Sequence, residues 1–132
     1  MNQWLAKAGE NLLVCGAILG LEMAAYDTAG FHAQQAAEKA LKALLVCHQV
    51  DFRHTHEIQG LLALAEPVAT GIQARFAAAG TLTPYAVGGR YPGPQPPLDR
   101  NEAARQLEMA RTVVAHVQNL LQPYLDTGPP AG

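Results

Sequence analysis

The chain has 132 residues, 49% of them hydrophobic, and a net charge of −2 at pH 7. That length suffices for one domain around a single core, and the charge excludes the overall basic character that announces nucleic-acid binding, leaving only a local basic patch. No apolar run reaches the roughly 20 residues of a membrane span, and the start MNQWLAKAGENLLVCGAILG lacks the basic leader and cleavage site of a secretory signal, so a cytoplasmic protein is expected.

Alanine is abundant, and aromatic residues make up only 6% of the chain. This favours helices over sheet. A first helix is predicted over about Gln3–Tyr26, with Trp4, Leu5, Ala8, Leu12, Cys15 and Leu19 at three- and four-residue steps. Gly9, Gly16 and Gly20 weaken it or mark close contact with a neighbour. After a short turn, the strongest helical stretch runs from Asp27 to His48. Ala33, Ala37, Ala40, Leu41, Leu44 and Cys47 share one side of it; Gln35, Glu38, Lys39 and Lys42 share the other, with Gln34 at the border. A connector follows, with Thr55 read as the N-cap of a helix starting at His56, and Val68–Gly80 reads as weakly helical.

From Thr81 the pattern breaks. LTPYAVGGRYPGPQPP holds five of the nine prolines and three glycines, and Gly88–Pro97 reads as a loop of the kind that carries function. The last helix is predicted from Asp99 or Asn101 to about Leu121, ended by Pro123. The expected fold is therefore all-α, an antiparallel up-and-down bundle of four to five helices over residues 1–125, with a disordered tail at 126–132. Cys15 and Cys47 sit among apolar residues and read as buried free thiols, and no metal site or cofactor motif is expected.

The segments FHAQQAAEKALKALL, THEIQGLL and GGRYP, in this order and spacing, resemble the HEPN domain (higher eukaryotes and prokaryotes nucleotide-binding) of bacteria and archaea; the resemblance covers Trp4 to about Leu121. Family members usually carry an Asp-Leu pair early in the first helix, where this chain has Asn11 and Leu12, so a charge is lost. The resemblance implies a binding module, not itself an enzyme, that works beside a minimal nucleotidyltransferase in a two-component, toxin–antitoxin-like system, as a homodimer. On that reading Lys39, Lys42, His56 and Arg90 contact nucleotide or another phosphate-bearing ligand, with Gln35 and Tyr91 behind them. The bland alternative for Gln35, Glu38, Lys39 and Lys42 is a solvated helix face with a Glu38–Lys42 pair worth a few tenths of a kcal/mol. For His56 it is local backbone bonding, and for Arg90 an anchor for its loop.

A second function class is set by Arg111-Thr-Val-Val-Ala-His116. HEPN ribonucleases carry Arg followed closely by His, the His working as acid or base around a ribose 2′-hydroxyl and the Arg stabilising phosphate charge. RNA is the substrate on this reading, and two protomers commonly compose the site. Five residues on a straight helix turn the two side chains roughly 140° apart, which counts against the pair. The third class is a structural dimer without ligand.

Overall fold

The computed structural model describes residues 1–21, 25–55, 57–79 and 98–127. Among them the architecture is all-α: α1 (Asn2–Leu19), α2 (Tyr26–Cys47), α3 (Ile58–Ala65), α4 (Ile72–Arg75) and α5 (Arg100–Thr127). The three long helices pack pairwise, α3 is appended to α2, and α4 to α3.

α2 is the axis of the bundle. Ala29, Ala33, Ala36, Ala37, Ala40 and Ala43 are all fully buried, so the helix is enclosed on more than one side. Side chains this small let the backbones of α1 and α5 come close. The larger core residues, Leu41, Leu44, Leu45, Leu61, Val113, Val117 and Leu121, fill what remains.

Hydrogen bonds between distant residues tie one end of the bundle. The Leu98 N–H donates to Asp27 Oδ1 at 2.8 Å, and Arg100 Nη1 donates to the Leu19 carbonyl at 2.6 Å. The start of α5 is thereby fixed to the end of α1 and the start of α2. At the opposite end the His48 and Tyr124 rings meet edge to face, 5.7 Å apart. So α1 runs against both partners, while α2 and α5 run in the same direction.

Several helix ends differ from the sequence reading. α1 stops at Leu19, short of Tyr26, and the Gly20 N–H closes on the carbonyls of Gly16 and Ala17. α2 begins at Tyr26, which places Asp27 in its first turn, where a negative charge suits the helix dipole. Thr55 does not cap α3: the helix starts at Ile58 after Glu57, and Thr55 instead lays its methyl over Gly60, where a Cβ would stand 2.8 Å from it. The weak helix over 68–80 contracts to α4 and a following turn. Glu66 caps the start of α4 by accepting from the N–H groups of Gly71 (2.6 Å) and Gln73 (3.0 Å), bonds that hold its carboxyl below the ordinary range.

α5 opens with a reciprocal capping box. The Glu102 N–H donates to Asp99 Oδ1 at 2.7 Å, and the Asp99 N–H donates to Glu102 Oε1 at 3.2 Å. At its far end Pro123 does not terminate it; the helix continues to Thr127. Pro123 removes one donor near the end of the helix, where the loss is small, and the packing of Leu121 and Tyr124 keeps the last turn in place. The helix therefore takes in Asp126 and Thr127, read from sequence as tail; residues 128–132 lie outside the described residues.

Candidate functional site

The polar residues of α2 form a connected ladder, not a solvated face. Lys42 Nζ donates to Glu38 Oε1 at 2.7 Å, and Gln34 Nε2 donates to Glu38 Oε2 at 2.7 Å. Gln35 Nε2 donates to Gln34 Oε1 at 2.7 Å, and Lys39 Nζ donates to Gln35 Oε1 at 2.8 Å. Gln34 is fully buried, and Glu38 and Lys42 are 7% and 8% exposed. The cover comes from outside α2. Trp4 of α1 and Phe52 of the α2–α3 connector meet edge to face at 5.9 Å, and the Lys42 ammonium lies 5.6 Å from each ring. Lys42 is thus committed to Glu38 and the two aromatic rings, while Gln35 and Lys39 remain half-buried at the rim.

Asn11, the position where the resemblance leads one to expect Asp, lies 2.9 Å through Oδ1 from His32 Nδ1. Burial holds the His32 pKa below its ordinary 6.5, and a neutral amide does nothing to oppose that. Asn11→Asp is expected to raise the His32 pKa, read by NMR titration of the ring protons. A folded pKa raised above the ordinary value would add stability that is full below pH 6.5 and lost as pH rises through the raised pKa. A His32 titration unmoved in the variant would show that the 2.9 Å contact does not persist in solution.

Arg111 and His116 line one open cleft of about 370 Å³, together with Thr112, Ala115, Asn119 and Arg75 from the end of α4. The five-residue step along α5 turns the two side chains roughly 140° apart, and the Arg111 guanidinium lies beside Gly16 of α1, where a Cβ would stand 3.9 Å from Nη2. Arg111 Nη1 donates to Glu108 Oε1 at 2.6 Å in a solvent-exposed pair, a weak tie that an incoming anion can exchange. His116 is half-buried and packs edge to face on Phe76, ring centroids 5.2 Å apart. Burial first, and the Arg75 charge second, hold its pKa below 6.5. At neutral pH the imidazole is uncharged and able to accept a proton.

Sequence reasoning missed Arg75 and Asn119. Asn119 sits three residues after His116 on α5, a spacing that puts both on neighbouring turns of one face, but nothing in the sequence brings Arg75 to that face. His56, Arg90 and Tyr91 lie outside the described residues. Cys15 and Cys47 are buried free thiols. Burial pushes the Cys15 pKa up to about 11, with Arg111 opposing, and raises that of Cys47 against the pull of the N-terminal ammonium. No described helix is long and apolar enough to cross a membrane, and among the described residues no three His, Cys, Asp or Glu gather as metal ligands do.

The described residues thus form an all-helical bundle whose last helix carries an open cleft lined by Arg111 and His116. The chain matches the HEPN domain family over residues 1–120 and belongs to that family. Neither a curated protein nor a solved structure matches it.

Proposed function

We propose that this HEPN domain is an RNA-directed module of the metal-independent endoribonuclease type, with Arg111 and His116 as its working pair. The observation that carries the reading is the gathering of Arg111, His116, Arg75 and Asn119 on one open cleft. The neutral His116 takes the proton of a ribose 2′-hydroxyl, the 2′-oxygen attacks the adjacent phosphorus, and the 5′-oxygen leaves with a proton from solvent. Arg111 meets the charge that builds on the phosphate oxygens, and Arg75 adds a second cation beside it. A homodimer belongs to this reading, since two protomers commonly compose the site in ribonucleases of the family. The test is cleavage of single-stranded RNA by the purified protein in excess EDTA; an inert protein would overturn the reading.

The weight moves to this pair from the α2 ladder because Lys42 is already engaged by Glu38. A second reading keeps the chain as a ligand-binding partner of a minimal nucleotidyltransferase, with Gln35, Lys39, Lys42, His56, Arg90 and Tyr91 as its ligand contacts. The half-exposed Gln35 and Lys39 favour it. Stoichiometric recovery of a nucleotidyltransferase with the tagged protein from its native host would support it, and recovery of the protein alone under gentle conditions would count against it.

A further inference from the structure

Two adjoining clefts run along α5 and share Arg75 and Thr112. Three arginines line them, Arg75, Arg105 and Arg111, against one carboxylate among the described residues, that of Glu108. Among the described residues neither Arg75 nor Arg105 has a carboxylate partner, whereas Arg111 Nη1 donates to Glu108 Oε1 at 2.6 Å. The single acid therefore engages the arginine of the Arg–His pair.

This contact also decides where the guanidinium rests. Glu108 stands one turn before Arg111 on α5, whereas His116 stands five residues after it, roughly 7.5 Å further along the helix axis. Arg111 Nη2 lies on the flank of α1, beside Gly16. The electrostatics agree with this placement. The Arg111 charge acts on the Cys15 thiol of α1, while the cation that acts on His116 is Arg75. In the free protein Arg111 is drawn back from His116, towards α1 and the start of α5.

We propose that Glu108 parks Arg111 in this position and competes with the substrate phosphate for it, so that the guanidinium turns towards His116 only when an anion in the cleft displaces the carboxylate. The proposal rests on the ribonuclease reading for the identity of that anion. A carboxylate and a phosphate oxygen make the same kind of charge-assisted bond with a guanidinium, so the two exclude each other at Nη1. The side chains of the pair are 52% and 70% exposed, and an ion pair so open to water is weak enough for a phosphate to displace. Glu108 is thus a positioning residue, acting through Arg111.

The experiment compares the full chain with Glu108→Gln, which removes the charge, keeps the shape and barely changes the helix propensity of an exposed position. The probe is a short single-stranded RNA methylated at its 2′-oxygens, which binds without being cleaved, followed by fluorescence anisotropy. Glu108→Gln should tighten binding roughly fivefold, about 1 kcal/mol, and the gain should shrink with added salt. In an Arg111→Ala background the same change should do far less, because no guanidinium is left to park; what remains there measures the plain loss of a negative charge. On cleavable RNA, Glu108→Gln should lower KM and leave kcat as it was. Helical circular dichroism checks that each variant keeps the bundle. A Glu108→Gln chain that binds the methylated RNA no better than the unaltered chain would overturn the proposal, as would a gain of equal size in the Arg111→Ala background. Failure of the ribonuclease reading alone looks different: the methylated RNA is bound in the expected order of affinities, and cleavable RNA in EDTA stays intact.

Discussion

Glu38→Ala is expected to destabilise the bundle by about 3 kcal/mol, the lower end of the range for breaking a buried ion pair from one side. The lower end applies because the two side chains retain 9% and 11% exposure, and water at the rim offsets part of the loss. The variant strands the Lys42 ammonium beneath Trp4 and Phe52 and takes from the fully buried Gln34 amide its carboxylate acceptor. Both losses act in the same direction, since a buried donor without a partner keeps its whole desolvation cost. Urea denaturation reads the effect as a lower midpoint with an unchanged slope. Glu38→Leu combined with Lys42→Met should recover the part of the loss due to the stranded ammonium, because an apolar pair of similar volume has no charge to desolvate, and leave the part due to Gln34. A loss below about 1 kcal/mol for Glu38→Ala would mean that the pair behaves as a surface ion pair, and the aromatic cover would then not exclude water.

That ladder marks the point where the sequence ceased to be legible. Helical periodicity placed Gln35, Glu38, Lys39 and Lys42 together correctly, but a period says which residues share a face and not what covers it. The cover is made by Trp4, more than thirty residues earlier, and by Phe52 in a connector. Local signals fared better. The run of alanines in α2 and the start of α5 near Asp99 are properties of neighbouring residues, and each is where its spacing put it. Where a local rule met a tertiary contact, the contact prevailed. Thr55 packs on Gly60 instead of capping, and α5 passes through Pro123 with Tyr124 set against His48. The Asp27–Leu98 hydrogen bond joins residues 71 apart in the chain, which no window of sequence contains. The same limit explains the candidate site. Arg111 and His116 were legible as a pattern, while Arg75 joins their cleft only because the end of α4 meets α5, where Phe76 packs on His116.

His116→Ala is expected to reduce RNA cleavage by about 10²–10⁴-fold, the usual contribution of a positioned general acid or base. The ring is half-buried against Phe76, so part of any loss in the alanine variant could be structural, and helical circular dichroism must be measured beside the rate. Arg111→Lys separates geometry from charge: it keeps the cation but loses the planar fork, and it should stay well below the unaltered protein. The pH profile carries the chemical argument. Burial, with Arg75 second, lowers the His116 pKa, so the acid limb of the rate should fall below pH 6.5, where the imidazole gains its proton. Arg75→Ala removes the smaller of the two causes and should move that limb only part of the way up. The linkage to stability has the same sign. The fold favours the neutral ring, so the unfolded chain takes up the proton first, and stability is full above pH 6.5 and lost as pH falls below it. Cleavage and unfolding must therefore be followed together across this window, because a rate that falls only where the bundle melts would report the fold and not the base. Cleavage retained by a folded His116→Ala variant would remove His116 from the chemistry, leaving Arg75, Arg111 and Asn119 as a site that binds phosphate without breaking it.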